Sequence, residues 1–169
     1  MKEIQSDINI VGGGLIGVAA AYSLSKLGNN VVVLEQKTKF NNKKILDKRT
    51  TAISEGSKKF LEEINIWKDI EYYAEPIRKI QIIDRNQSNK IYFDNQRRNS
   101  NLGYIVKNEF ILKSLYRKLQ KQKNVKIFNN VFIKDIFYRD NRIITKQNNF
   151  FVNTNLLLAS DGKNSSIRK

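Results

Sequence analysis

The segment DINIVGGGLIG, Asp7 to Gly17, constrains this chain more than any other. An apolar run suited to a short buried strand, Asp7–Val11, passes directly into three consecutive glycines. Glycine weakens the interior of a strand or a helix, so such a run has to serve a turn or a close approach. Leu15 to Leu27 then reads as a helix closed by Gly28, with Ala19, Ala20 and Ala21 small enough to let it lie on a sheet. Val31–Glu35 (VVVLE) follows as a second strand, apolar on both faces as a parallel central strand must be. A strand, a G-x-G-x-x-G loop, a helix and a strand ending in an acid supply the context that gives the glycine spacing its meaning.

Each position in that unit has a physical task. Gly12 allows the tight turn out of the strand, Gly14 leaves bare backbone for a diphosphate to approach, and Gly17 lets the helix pack against the strand. The N–H groups at the helix start, with the positive end of its dipole, favour phosphate charge. Glu35 can accept hydrogen bonds from ribose hydroxyls and would repel a 2′-phosphate. The alternative is a glycine turn with no ligand.

Composition removes whole classes of chemistry. The chain has no Cys and no His, so cysteine nucleophiles, Ser–His pairs and cysteine or histidine metal ligands are absent, and neither a catalytic residue nor a metal site is assigned. With 169 residues, 40% of them apolar, it suits one domain or a piece of a larger one. The net charge of +15 invites a nucleic-acid reading. Lys and Arg are scattered along the whole sequence, however, and the densest patch, Gln36–Arg49, reads as a solvated loop, so no nucleic-acid partner is expected. The apolar runs are too short to span a membrane and the first residues do not read as a signal peptide, so a cytoplasmic location is expected.

Further along, Ser54 can cap a helix to Ile64, with Phe60, Leu61 and Ile64 on one face and Asn65 ending it. Those three residues and Trp67 are expected in the core. Ile77–Asp84 and Lys90–Asp94 read as two strands joined by the turn RNQSN, an excursion out of the nucleotide fold. Asn108 can cap a helix reaching about Lys121, with Ile111, Leu115 and Leu119 in register. Val125–Phe128 returns to a parallel strand. Val131–Tyr138, Arg142–Lys146 and Phe150–Val152 read as a meander with turns at Asp140-Asn141 and Asn148-Asn149. Asn155–Ala159 is a final buried strand running into Ser160-Asp161-Gly162.

This order of elements resembles the FAD-binding fold of the glutathione-reductase type, in which a meander replaces a crossover helix. The expected class is therefore α/β, a Rossmann-like FAD-binding domain with a β-meander and the start of a β-rich substrate domain. Three segments narrow the resemblance. DKRTTAIS (Asp47–Ser54) is similar to the D-x-R-x-x-A-[LI]-S segment of the aromatic-ring FAD monooxygenases, especially the ubiquinone-biosynthesis hydroxylases. LGYIVKN (Leu102–Asn108) is similar to their L-G-Y-x-V-E-N, with Lys107 where Glu is usual and no role carried over for it. LLLASDGKNSSIR (Leu156–Arg168) is similar to their L-x-x-G-A-D-G-x-x-S-x-x-R, with Ala159 and Ser160 in place of Gly and Ala.

By that resemblance Gly12, Gly14, Gly17 and Glu35 would hold the ADP half of FAD, and Arg49 would reach towards its pyrophosphate side. Asp161 and Gly162 would lie near the pyrophosphate and the groove by which NAD(P)H approaches. Arg49 could equally be one more solvated charge, and Asp161-Gly162 an ordinary turn. The implied reaction is hydroxylation of an aromatic ring, a ubiquinone precursor in the branch most resembled, with NAD(P)H and O2. A polyprenyl phenol as substrate would bring the chain to the inner membrane face as a peripheral protein, where a basic exterior helps. Residues 1–75 and 105–169 would form the two parts of the FAD-binding domain, and 76–104 a hairpin of the substrate domain. The G-D-A-x-H flavin motif of the family does not occur in this sequence. The expectation is thus an N-terminal portion from a truncated or split reading frame, inactive alone. The alternatives are a non-catalytic dinucleotide-binding module acting with a partner chain that completes the fold, and a basic nucleic-acid-binding protein.

Overall fold

The structure, a computed structural model, describes residues 2–37, 47–83, 90–94 and 100–168. In chain order its elements are β1 (Lys2–Val11), α1 (Leu15–Lys26), β2 (Val31–Glu35), β3 (Thr50–Ile53), α2 (Glu55–Glu63), α3 (Trp67–Ile70), β4 (Glu75–Ile77), β5 (Lys79–Ile83), β6 (Lys90–Asp94), β7 (Gly103–Lys107), α4 (Asn108–Leu119), β8 (Val125–Asn129), β9 (Asp135–Arg139), β10 (Arg142–Lys146) and β11 (Phe150–Ala159). They fall into two compact units, Met1–Leu46 with Leu115–Lys169, and Asp47–Ser114.

The first unit is built on a six-stranded sheet in the order β8-β2-β1-β11-β10-β9. Its first four strands are parallel, and β9 and β10 add on antiparallel. Every residue of β2 is buried, which is why its sequence is apolar without alternation. The expected helix at Leu15 is present as α1. It buries Val18, Ala21 and Tyr22, packs against β1 and β2, and ends at Gly28 with φ +88°. Of the three consecutive alanines, Ala21 is the one fully buried. On the sheet, Ile4, Val32, Leu34 and Val152 form a core cluster, against which Phe128, Val131, Ile133 and Phe150 pack. Polar Asn9 interrupts the apolar run of β1 yet is wholly buried. Its side-chain amide donates to Thr145 Oγ1 at 2.9 Å, and that oxygen also accepts from Gln147 Nε2.

The meander is present but divided differently from the expectation. Phe150–Val152 and Asn155–Ala159 are one ten-residue strand, β11. It runs parallel to β1 along its length, from Lys2↔Phe150 to Val11↔Ala159, while its first half also pairs with β10. Asn153 and Thr154, polar residues that read as a break, are stitched in by side-chain bonds. Asn153 Nδ2 donates to Glu3, and Thr154 Oγ1 to the Asp7 carbonyl. The strand is less enclosed than expected in its second half, where Leu156 is 46% exposed. The first meander strand is also shorter than its apolar run suggests, β9 starting only at Asp135. The turn at Asp140-Asn141 forms with both residues at positive φ, the geometry of a two-residue hairpin turn.

In the second unit, β3, β7 and β4 form an antiparallel sheet in which β7 is central. The segments DKRTTAIS and LGYIVKN, far apart in sequence, are therefore neighbouring strands, from Thr50↔Lys107 to Ile53↔Tyr104. Helix α2 is capped as expected, Ser54 Oγ accepting from the Ser57 amide, and Asn65 follows it at φ +58°. Leu61, Ile64 and Trp67 are buried. Phe60 is not: it is 41% exposed, although its i,i+4 spacing to Ile64 places it at the margin of the same face. Asn108 is the first residue of α4, and its side chain accepts from Thr51 Oγ1 and donates to Asp47. β5 and β6 pair antiparallel, Lys79↔Asp94 to Ile83↔Lys90, but β5 begins at Lys79 and not at the expected Ile77, because Ile77 ends β4 and pairs with Gly103 of β7. Their expected turn, RNQSN, lies outside the described residues, as does most of the basic patch Gln36–Arg49.

Candidate functional site

The parallel pairing of β1 with β2 and β11 brings three chain segments to one end of the sheet: the glycine loop, Glu35 and Ser160-Asp161. Gly12 turns out of β1 at φ +103°, a region L side chains rarely adopt, and its N–H donates to the Leu34 carbonyl at 2.8 Å. A Cβ placed there would stand 2.4 Å from the Ser160 carbonyl oxygen and 2.8 Å from Asp161 Cα. A Cβ on Gly17 would stand 1.9 Å from the Gly12 carbonyl oxygen, backbone that cannot move aside. The two outer glycines of the pattern are thus fixed by the protein's own packing.

Gly14 is different. It stands at the N-cap of α1 in an extended conformation, with no side-chain cap and no acid in the first turn, and a Cβ there would meet nothing within 4 Å. The amides of that first turn have no intrahelical acceptor, and the helix dipole adds positive potential beside them. A bare loop before an uncapped helix start is what an anionic diphosphate requires.

Glu35 is 6% exposed and faces the loop. Its Oε2 accepts from the Gly13 N–H at 2.5 Å and its Oε1 from the Lys37 N–H at 2.9 Å. Each carboxylate oxygen keeps further lone-pair capacity, so these bonds leave room for a ribose hydroxyl. Gly13, to which the sequence pattern alone assigns no task, is held on its other side as well. The Tyr116 hydroxyl, from α4, donates to its carbonyl at 2.7 Å. A Cβ on Gly13 would lie 2.9 Å from that hydroxyl oxygen. Burial, reinforced by the charge of Glu35, pushes the Tyr116 hydroxyl far above its ordinary pKa, so it remains a donor.

Ser160 stands where the family pattern has Ala, and its hydroxyl lies 2.9 Å from the Val11 carbonyl and 3.0 Å from that of Gly12. It ties the end of β11 to the turn out of β1. Asp161 directs its carboxylate along the following turn, Oδ2 accepting from the Ser166 N–H at 2.7 Å. Partial burial raises the pKa of Asp161, but bonds from the Ser165 hydroxyl and from backbone amides outweigh this and hold it below the ordinary carboxylate value. Gly162 follows at φ +89°, its carbonyl accepting from the Ser165 N–H.

Of the residues expected from sequence, the first unit therefore brings together Gly12, Gly14, Gly17, Glu35 and the backbone of Asp161-Gly162. Arg49 belongs to the second unit. Its guanidinium grips both oxygens of Asp47, at 2.8 and 2.7 Å, and its side chain is 79% exposed. Asp47 also accepts from Asn108 Nδ2, so the first residue of one family segment and the last of another orient the arginine between them. The Arg49 side chain, ahead of a smaller effect of burial, holds the Asp47 carboxyl well below the usual carboxylate range. Tyr116, Gly13 and the tie made by the Ser160 hydroxyl escaped the sequence reading. The one legible signal was Tyr116 itself, a hydroxyl beside the apolar stripe of a helix, which needs a buried acceptor.

A family described as FAD dependent oxidoreductase matches residues 7–44, the segment carrying the loop and Glu35. The chain is 30% identical to the ubiquinone biosynthesis monooxygenase COQ6 of Drosophila melanogaster, over 96% of this chain and 37% of that protein. It is 24% identical to the 3-demethoxyubiquinol 3-hydroxylase of Escherichia coli K12, over 100% of this chain and 44% of that one. The chain thus spans about two-fifths of the length of the curated relatives it matches. Among solved structures, p-nitrophenol 4-monooxygenase PnpA from Pseudomonas putida superposes with a TM-score of 0.79 at 21% identity, over 99% of this chain and 43% of that one, which establishes the shared fold. By sequence and fold together, the chain resembles the N-terminal portion of the aromatic-ring FAD-dependent monooxygenases, the ubiquinone-biosynthesis hydroxylases among them.

Proposed function

We propose that this chain is the N-terminal, FAD-binding portion of an FAD-dependent monooxygenase that hydroxylates an aromatic ring, a ubiquinone precursor by its relatives, using NAD(P)H and O2. The observation that carries this reading is Gly14: open space where a Cβ would stand, at the uncapped start of α1, beside a carboxylate already turned onto the loop. In this reading the backbone of Gly12 to Gly17 holds the diphosphate, Glu35 accepts from the adenosine ribose, and Arg49, Asp161 and Gly162 serve the pyrophosphate side. Bound FAD would supply the redox chemistry, which a chain without His or Cys leaves to a cofactor. The side chains bind and orient it. Ser160 holds the two strand ends that frame the loop, and Asp47 holds Arg49 in one bidentate geometry.

Among the described residues no helix is long and apolar enough to cross a membrane. If the ring carries a polyprenyl tail, the net charge of +15 favours a peripheral stay at an anionic membrane surface. The residues 76–104 are read as part of the substrate-facing region. The deciding experiment is titration of the purified chain with FAD, followed by flavin fluorescence and by calorimetry, with NADH and NADPH oxidation measured in parallel. Saturable FAD binding is expected. Turnover is expected only after a second chain carrying a G-D-A-x-H segment is added. A chain that takes up neither FAD nor ADP would overturn the reading.

A further inference from the structure

Tyr116 makes a contact that the proposed cofactor site does not need in order to exist but does need in order to be aimed. We infer that Tyr116 is a positioning residue for the diphosphate: its hydrogen bond to the Gly13 carbonyl sets the direction of the Gly14 N–H. This rests on the FAD-binding reading above. The carbonyl of Gly13 and the N–H of Gly14 belong to one peptide plane, and in a trans peptide they point in opposite directions. The described residues contain no cis peptide bond. Holding the carbonyl at 2.7 Å from the Tyr116 hydroxyl therefore fixes where the Gly14 N–H points.

The preceding peptide is fixed as well, because the Gly13 N–H is bound to Glu35 Oε2. Three consecutive glycines would otherwise leave these two peptide planes with more rotational freedom than any other tripeptide. The protein removes that freedom with one hydroxyl and one carboxylate, both drawn from outside the loop. Tyr116 is 5% exposed, and Gly13 is buried, so loss of the hydroxyl leaves a carbonyl with no water to replace it. Tyr116 does not face Gly14, where open space remains, so its part is orientation and not contact with the ligand.

The test uses the full chain, with Tyr116→Phe and, as a control, Leu119→Ala. Leu119 is a buried residue of α4, 1% exposed, whose hydrocarbon side chain has no group to hydrogen-bond the loop. Tyr116→Phe keeps the ring and its packing. It is expected to weaken FAD and ADP binding roughly fivefold to tenfold, the size of one buried hydrogen bond. The Gly14 amide cross-peak in a 15N–1H spectrum is expected to shift in the ligand-free chain. Leu119→Ala is expected to lower the melting temperature while leaving the FAD affinity and the Gly14 cross-peak in place. Wild-type binding matched by Tyr116→Phe, or an affinity loss that merely follows melting temperature in both variants, overturns the positioning role alone. A wild-type chain that binds neither FAD nor ADP overturns the nucleotide reading, and this inference with it.

Discussion

β2 and the hairpin β5–β6 have nearly the same local character and opposite surroundings. VVVL in β2 is at most 1% exposed at every position. In the hairpin, Ile80, Ile82, Ile83, Ile91, Tyr92 and Phe93 are 42 to 59% exposed. Both stretches are rich in β-branched residues, the hairpin adding Tyr92 and Phe93, and both form strands, so propensity accounts for the strand and not for its environment. β2 lies between β1 and β8 in a parallel ladder with α1 packed on it. Among the described residues β5 pairs with β6 alone, and a two-stranded ribbon has no further strand to bury its faces. A strand becomes core by what its neighbours cover.

The glycine loop repeats this lesson at the scale of single residues. Gly17 and Gly12 are constrained by the protein's own atoms, Gly14 by none. Gly17→Ala should give the largest effect of any change here. Its methyl meets backbone at 1.9 Å, so a loss above about 3 kcal/mol, or failure to fold, is expected in urea unfolding. A folded, near-wild-type Gly17→Ala chain would end the contrast. Leu34→Ala, in the enclosed strand, should cost about 2–5 kcal/mol by the same measurement. Gly14→Ala should leave unfolding unchanged or shift it slightly towards stability, because its backbone suits Ala and the methyl enters open space. The same change should raise the FAD dissociation constant about tenfold or more, since that methyl occupies the approach to the backbone. Equal affinities would mean that the open space serves no ligand.

Alkaline pH separates Tyr116 from the exposed aromatics. Burial, then the Glu35 charge, raises its folded-state pKa above the ordinary 10.0. A raised pKa contributes stability that is complete below that value and withdrawn as pH climbs past it. Urea midpoints taken between about pH 8 and pH 11 should therefore fall more steeply for the wild type than for Tyr116→Phe. Parallel curves would argue that the hydroxyl is solvated. The smallest effect belongs to the hairpin, where Ile82→Ala, at a position 50% exposed, should change stability by less than about 0.5 kcal/mol.

The sequence alone determined the strand–loop–helix–strand unit, the end of β2 at Glu35, the cap at Ser54 and the hairpin turn at Asp140-Asn141. Each depends on contacts between residues close in the chain, where spacing and backbone preference decide. It did not reveal that Phe150–Ala159 is one strand, because polar Asn153 and Thr154 are reconciled with it by Glu3 and Asp7 on β1, far away in sequence. Nor did it reveal the pairing of DKRTTAIS with LGYIVKN, or the two grips on Gly13. Those arise where chain segments distant in sequence meet. A hydrogen bond there depends on the three-dimensional direction of a carbonyl or a hydroxyl, and no periodicity along the chain records that direction.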